Sequence, residues 1–228
     1  MQTVPFFELD YFRHDLRAGT VFNRSGTRQC FMPSEMIAAL MAVMEEETGP
    51  AWREIVARVG RLWGRRVARR YQRELSDFYN RPLHEMPMSE LIVLLEGFFR
   101  YHGWGLLKLD LSLAERGVIQ ARLENSAFVE IMGVSDGPVD YIVCGLLAEF
   151  LNQVSERTDI ECVETECASN GASSCRMIIA ISSRIDLIRR DLASGGAGHD
   201  TLLADLLVST VQLSGGDRVY APDTTRIS

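Results

Sequence analysis

The sequence predicts an α+β fold in which helices pack on a small antiparallel sheet, followed by a C-terminal helical extension. Apolar residues recur at helical spacing between residues 34 and 101, and from Leu106 onward they alternate at strand spacing. A helical pattern returns over residues 139–154, and two strand patterns follow it on either side of Asn170-Gly171. Helices that alternate with antiparallel strand pairs are typical of α+β proteins.

The first part of the chain is predicted to be helical after an irregular or partly stranded lead-in over residues 1–30. Ser34 is expected to cap the first helix, because a serine hydroxyl accepts hydrogen bonds from the first-turn amides, and Gly49-Pro50 ends it. A second helix is predicted over residues 51–77 and a third over residues 89–101, each with one apolar stripe. These helices begin a main domain that we expect to span residues 31–180.

The second part of that domain is predicted to form the sheet. Residues 106–111 and 117–123 are expected to pair as antiparallel strands. Gly137-Pro138 then precedes the fourth helix, and residues 159–163 and 176–180 are expected to be the strands of a hairpin.

The last part of the chain has a different character. Residues 181–213 are predicted to be a helical extension, with helices over 183–193 and 201–213 separated by a glycine-rich break. The apolar face of the second helix is expected to pack back on the domain, onto a second copy or onto a partner protein. Residues 214–228 are predicted to be a disordered tail.

Composition narrows the choice of partners and location. The net charge of -7 argues against nucleic acid, because binding phosphates requires a positive field. No apolar stretch is long enough to span a bilayer, and the first residues do not resemble a signal peptide. We therefore expect a cytoplasmic, reducing location, which disfavours disulfides.

The hairpin carries the most informative side chains of the chain. Glu164, Cys167 and Cys175 surround the Asn170-Gly171 turn, so that a carboxylate and two thiols would lie at one end of the hairpin. A metal ion, a disulfide between the two cysteines, and plain burial of small side chains all fit this spacing. Cys162 shares a strand face with Glu164 and is expected in the core.

The order of these motifs resembles a known domain. A helix preceded by Gly137-Pro138, a strand, and then Val163-Glu-x-x-Cys-x(7)-Cys175-Arg resembles the 4-vinyl reductase (V4R) domain, which is named after a bacteriochlorophyll-biosynthesis protein. Gly103-Trp104-Gly105 is similar to a landmark of stand-alone members in photosynthetic bacteria. The chain is also similar to the phenol-sensing input domains of sigma-54-dependent activators and, more distantly, to TRAPP vesicle-tethering subunits. The resemblance covers about residues 20–180.

The resemblance implies a dimeric α+β domain with a small-molecule pocket beside a zinc site of three cysteines and one glutamate. Carried over by position, Glu164, Cys167 and Cys175 match the glutamate and two of the cysteines. At the position of the third cysteine this chain has Asp140. Either Asp140 supplies an oxygen ligand, or Cys144 one helical turn later replaces it, or no metal binds.

The ligand expected in this pocket is a hydrophobic ring compound, either a tetrapyrrole intermediate or a simpler aromatic. His102 and Trp104 would lie at the junction between the third helix and the first sheet strand, close to Phe98 and Phe99. These four residues are the candidate ligand contacts. A capping or surface role for the histidine and core packing for the aromatic residues are the alternatives.

The motifs favour a binding protein over an enzyme. The sequence shows no nucleophile spaced against a base, no phosphate-binding loop and no dinucleotide fingerprint. A zinc ion with four protein ligands would leave no open position for catalysis. We therefore predict a non-catalytic accessory protein that holds the ring ligand. The alternatives are a dimeric scaffold or assembly factor and a sensory module that signals through a partner protein.

Overall fold

The protein is a mixed helix and sheet structure, seen in a computed structural model that describes residues 6–7, 10–195 and 198–208. The helices are α1 (Ser34–Thr48), α2 (Trp52–Tyr79), α3 (Met88–Tyr101), α4 (Ala127–Met132), α5 (Tyr141–Val154), α6 (Ser182–Ala193) and α7 (His199–Val208). The strands are β1 (Phe12–Asp15), β2 (Thr20–Asn23), β3 (Arg28–Gln29), β4 (Leu106–Asp110), β5 (Val118–Glu124), β6 (Ile160–Glu166) and β7 (Cys175–Ile181). The predicted α+β fold class is confirmed.

Two antiparallel sheets organise these strands. The main sheet has the order β4-β5-β7-β6, and a smaller sheet in the lead-in has the order β1-β2-β3. β6 and β7 form the predicted hairpin, whose register shifts between Glu164 and Glu166. The turn is longer than a two-residue hairpin turn, because residues 167–174 separate the strands. Within it, Gly171 adopts a left-handed φ of +101°.

Helices α2 and α5 pack against each other at unusually close range. A Cβ atom added at Gly60 would lie 2.2 Å from the carbonyl oxygen of Ile142, and one added at Gly145 would lie 2.2 Å from that of Ala57. Only glycine allows the two backbones to approach this closely. The contact holds α5 between α2 and the inner face of the main sheet, where the candidate metal ligands lie.

The outer face of the main sheet is covered by the C-terminal helices. Apolar residues of β5, β7, α6 and α7 form a second core there. They are Val118, Ile178, Ala180, Ile185, Ile188, Leu202 and Leu206. Within the described residues the helical extension therefore packs back on the domain. Residues 209–213 of the predicted last helix and the predicted disordered tail at 214–228 lie outside the described residues, and the domain boundaries remain predictions.

Local differences from the sequence expectation have simple causes. Helix α4 was not predicted, because six residues are too few to show a helical period. Its signal is the cap at Ser126, whose hydroxyl accepts a 3.2 Å hydrogen bond from the Phe128 amide. Helix α1 begins at Ser34 itself, with Pro33 at the capping position and no side-chain cap. None of the helices in the described ranges is long and apolar enough to cross a membrane.

Candidate metal centre and ligand cleft

The β6–β7 hairpin brings three metal-ligating side chains together. The ligand atoms of Glu164, Cys167 and Cys175 lie within 4.8 Å of one another, and all three residues are buried. Strand alternation turns Glu164 inward toward α5, and the loop after β6 returns Cys167 to the beginning of β7. The two sulfur atoms are 3.8 Å apart.

The beginning of α5 holds one oxygen of the Glu164 carboxylate. The backbone amides of Val139 and Asp140 donate hydrogen bonds of 3.0 and 2.9 Å to Oε2. Free amides at a helix N-terminus favour a carboxylate in this way. The other oxygen, Oε1, is buried without a hydrogen-bond partner in the described structure. One oxygen of Glu164 is thus fixed to α5 while the other keeps its lone pairs.

Asp140 adjoins this group. As in Glu164, one of its carboxylate oxygens is hydrogen-bonded and the other is not. Its side chain is fully buried, and the hydroxyl of Ser126 donates a 2.6 Å hydrogen bond to Oδ1. Oδ2 is buried and has no hydrogen-bond partner within the described residues. The Asp140 carboxyl group also interacts with Cys175 and Glu164. A second oxygen with free lone pairs therefore lies beside the three clustered residues.

Crowding of four acidic groups perturbs each of their pKa values. Burial, aided by the charge of Asp140, raises the pKa of Glu164 to about 10. Burial also raises the pKa of Asp140 to about 6. The hydrogen bond between the thiols lowers the pKa of Cys167 to about 5 and raises that of Cys175. Without a cation, protons therefore remain on Glu164 and Cys175 at neutral pH, because the site cannot hold several negative charges.

The donor set fits a zinc ion. Zinc accepts thiolate sulfur and carboxylate oxygen and prefers four tetrahedral ligands in structural sites. Two sulfur atoms bound to one tetrahedral ion at about 2.3 Å are about 3.8 Å apart. Cys167 and Cys175 show this separation. The unpartnered Oε1 of Glu164 adds a third donor to the two sulfurs, and the unpartnered Oδ2 of Asp140 lies outside this group of mutually close atoms.

Cys144 lies beside a different partner. The neighbouring thiol of Cys162, together with burial, raises the pKa of Cys144 well above the usual range. The group of mutually close ligand atoms found among the described residues includes Glu164, Cys167 and Cys175, but neither Cys144 nor Asp140. Of the two candidates for a fourth ligand, Asp140 has an unpartnered buried oxygen, and Cys144 lies beside Cys162.

His102 is a half-buried, neutral histidine with one ring nitrogen that has no partner among the described residues. Its Nδ1–H donates a 2.8 Å hydrogen bond to the carbonyl oxygen of Phe98, which can only accept. Nε2 is therefore an acceptor, and it has no hydrogen-bond partner in the described part of the chain. Burial lowers the pKa of His102 to about 4, so the ring is neutral at physiological pH. The Phe98 ring lies 4.3 Å from the imidazole, between ring centroids.

Two clefts border these residues. One of about 370 Å³ is lined in part by Glu164, and a smaller one of about 210 Å³ is lined by His102 and Trp104. The smaller cleft also involves α1 and α4, through Ile37 and Ile131. The part of this wall formed by α4 was missed because α4 itself was not predicted.

The remaining predicted ligand contacts have different positions. Trp104 stacks on Phe128, with ring centroids 5.3 Å apart, and lies 4.9 Å from the Trp63 ring. Phe98 and Phe99 are almost fully buried and do not line the smaller cleft. Phe98 instead supports His102 from the core. The structure therefore brings His102 and Trp104 together at one surface and places the two phenylalanines behind it.

Comparison with known proteins confirms the predicted resemblance. Residues 119–181, which include β5, α5 and the β6–β7 hairpin, match the family model of the V4R domain. No curated protein sequence matches the chain.

Solved structures share the fold at low sequence identity. The phenol-responsive sensory domain of the transcription activator PoxR, solved with phenol, has a TM-score of 0.59 and 18% identity, covering 75% of this chain and 85% of that one. A trafficking protein particle complex subunit 3 from Naegleria fowleri, covalently bound to palmitic acid, has a TM-score of 0.50 and 13% identity, with coverages of 65% and 94%. A vinyl-4-reductase family protein from Methanocaldococcus jannaschii has a TM-score of 0.47 and 15% identity, with coverages of 67% and 83%.

Proposed function

We propose that this protein is a non-catalytic binding module that holds a hydrophobic ring compound near a structural zinc site and reports or delivers it to a partner. The observation that carries the proposal is the convergence of Glu164, Cys167 and Cys175, with unpartnered carboxylate oxygens on Glu164 and Asp140. The match to the V4R domain and the shared fold of a phenol-responsive domain support a ligand-binding sensory class.

In this proposal the zinc ligands are the thiolates of Cys167 and Cys175 and the free oxygens of Glu164 and Asp140. A bound divalent cation supplies positive charge that replaces the protons retained by the buried acids. The residues then tie the beginning of α5 to the β6–β7 hairpin. Four protein ligands leave no open position, which is the property of a structural site. A reducing compartment such as the cytoplasm would keep both thiols available.

The proposed ligand is a single aromatic ring that carries a hydrogen-bond donor. His102 Nε2 is a neutral acceptor without a partner in the described residues, and Trp104 offers an aromatic wall beside it. The cleft that these residues line, at about 210 Å³, is smaller than pockets for drug-sized ligands, which begin at roughly 300 Å³. This size favours a simple phenol-like compound over a tetrapyrrole intermediate.

The proposal is tested by metal analysis and by titration with phenol as the probe. Protein purified without added metal should contain zinc, and phenol should bind with saturation in a calorimetric titration. His102→Phe keeps an aromatic ring but removes the acceptor nitrogen, so it should weaken phenol binding at least tenfold. His84→Phe, at an exposed histidine, is the matched control and should bind normally. Zinc-free protein that binds neither phenol nor a tetrapyrrole would favour the scaffold alternative.

We further propose that the module is a homodimer formed through α1 and α2. Both helices present exposed apolar side chains. These are Met36, Leu40, Val43, Ile55, Val59 and Leu62. α1 ends in the acidic run Glu45–Glu47, whereas the outer face of α2 carries exposed Arg58, Arg66 and Arg69. An α1 that packs on the α2 of a second copy would match both the apolar surface and the opposite charges.

A further inference from the structure

Helix α5 runs along strand β6 with two fixed points of contact. At the beginning of the helix, the Asp140 amide donates a 2.9 Å hydrogen bond to the Glu164 side chain. Near its end, the Asn152 side chain exchanges two 2.9 Å hydrogen bonds with the backbone of Ile160. The helix and the strand therefore run in opposite directions, and residues between the two contacts face each other.

Two further cysteines lie opposite each other in this register. Cys144 follows Asp140 by four residues, about 6 Å along a helix. Cys162 precedes Glu164 by two residues, about 6.7 Å along a strand and on the same face. The two steps are nearly equal, so the thiols meet one step from the Asp140–Glu164 contact. Both cysteines line the same surface cleft, which agrees with this register.

A surface cleft gives solvent access to this thiol pair. Cys144 and Cys162 both line the cleft of about 370 Å³ between α2, α5 and β6, although each is mostly buried. Neither Cys167 nor Cys175 is among its lining residues. Arg53 and Arg61 line the cleft together with Glu54, Glu161 and Glu164, so the cleft wall beside the thiols is polar.

We propose that Cys144 and Cys162 are a redox-modifiable dithiol that hydrogen peroxide converts into a disulfide joining α5 to β6. One sulfur attacks an oxygen of hydrogen peroxide, which breaks the O–O bond and gives a sulfenic acid, and the departing hydroxide takes up the thiol proton and leaves as water. The second thiol then attacks the sulfenic sulfur, the S–S bond forms, and a second water leaves with the thiol proton. Two electrons pass from the sulfurs to the peroxide.

This pair is separate from the proposed zinc site, since it shares none of the four proposed ligands. Its position still matters for that site, because a Cys144–Cys162 bridge would lie next to Asp140 and Glu164 along the same helix and strand. Oxidation would thus lock α5 against β6 beside the metal ligands. A small dithiol reductant should reverse it.

The test is peptide mapping of the full chain after treatment with hydrogen peroxide. Cys30→Ser removes the exposed thiol and serves as the parent protein. Proteolytic cleavage after glutamate places Cys162 on a different peptide from Cys167 and Cys175. Glu161 precedes Cys162, and Glu164 and Glu166 lie between Cys162 and Cys167. Under non-reducing conditions the peptide with Cys144 should be joined to the peptide with Cys162, and reduction should release both.

Two variants of the parent provide matched controls. Cys144→Ser and Cys162→Ser each keep the size of the side chain, and each should lose the cross-linked peptide pair while circular dichroism shows an unchanged fold. The proposal is overturned if peroxide leaves the Cys144 peptide unjoined to Cys162 in the parent protein, whatever happens at Cys167 and Cys175. It is also overturned if Cys144 is instead joined to either hairpin cysteine.

Discussion

The backbone amide of Asp140 donates a 2.9 Å hydrogen bond to Oε2 of Glu164, and this bond joins the beginning of α5 to β6. The contact uses the main chain of residue 140, so it does not depend on which side chain stands there. The Asp140 side chain remains available beside the Glu164, Cys167 and Cys175 cluster. An aspartate where the resemblance leads one to expect a cysteine is thus compatible with a four-ligand site.

Removal of one hairpin thiol should abolish zinc binding. For Cys167→Ser we expect the zinc content to fall from about one per chain to a small fraction, because structural sites need their complete ligand set. The thermal midpoint should fall and should no longer respond to a chelator, since metal binding is coupled to folding. Elemental analysis and thermal unfolding measure both effects. Cys30→Ser, at an exposed cysteine, should behave like the wild type.

Zinc affinity should increase with pH. The pKa of Glu164 is raised to about 10 and that of Cys175 is raised as well, so both groups carry protons near neutral pH. Zinc must displace these protons, and a lower proton concentration therefore favours binding. Competition with a chromophoric chelator between about pH 6 and pH 8 should show the increase. An affinity that does not change over this range would contradict the protonated state described for the cluster.

A methyl group between α2 and α5 should destabilise the fold. At Gly145→Ala the new Cβ would meet backbone atoms of Ala57 and Arg61, which have little freedom to move. We expect a loss of about 1–3 kcal/mol in the free energy of unfolding, as for other overpacked cores. Urea denaturation measures it. Gly137→Ala is the control, because its Cβ would meet nothing within 4 Å, and its stability should be close to that of the wild type.

Acid should destabilise the protein partly through His102. Burial lowers its pKa from 6.5 to about 4 in the folded state, so the unfolded chain takes up the proton first as the pH falls. Stability from the neutral ring is complete above about pH 6.5 and decreases by about 1.4 kcal/mol per unit toward pH 4. His102→Phe should show a shallower loss across this window in denaturant titrations. Equal slopes for the variant and the wild type would argue against the buried neutral ring.

A charge on the proposed dimer surface should give monomers. Leu40→Asp and Leu62→Asp place a carboxylate on side chains that are about half exposed in the single chain, so folding should be unaffected. A carboxylate buried in an apolar interface is strongly unfavourable. Sedimentation equilibrium should show a dimer for the wild type and monomers for both variants. Leu16→Asp, at an exposed leucine far from α1 and α2 in sequence, should remain dimeric.

Local patterns in the sequence were sufficient to predict the longer elements and the approach of Glu164, Cys167 and Cys175 to one another. The period of apolar residues predicted α2, α3 and α5 to within a few residues, because each buries one long face. Short elements such as α4 were not predicted, because six residues make fewer than two helical turns and show no measurable period. The spacing of Glu164, Cys167 and Cys175 around a turn was enough to predict their approach, since a hairpin joins residues that are close in sequence.

Only the tertiary structure decided which partners the residues of α5 acquire. Asp140 and Cys144 lie one turn apart and were equivalent candidates from the sequence. The structure distinguishes the two residues by their neighbours. Close glycine contacts with α2 fix the position of α5, so that Asp140 lies beside Glu164 and Cys144 lies beside Cys162. Such pairings depend on how the helix lies along the strand. That register follows from packing between segments distant in the chain, which no local sequence pattern contains.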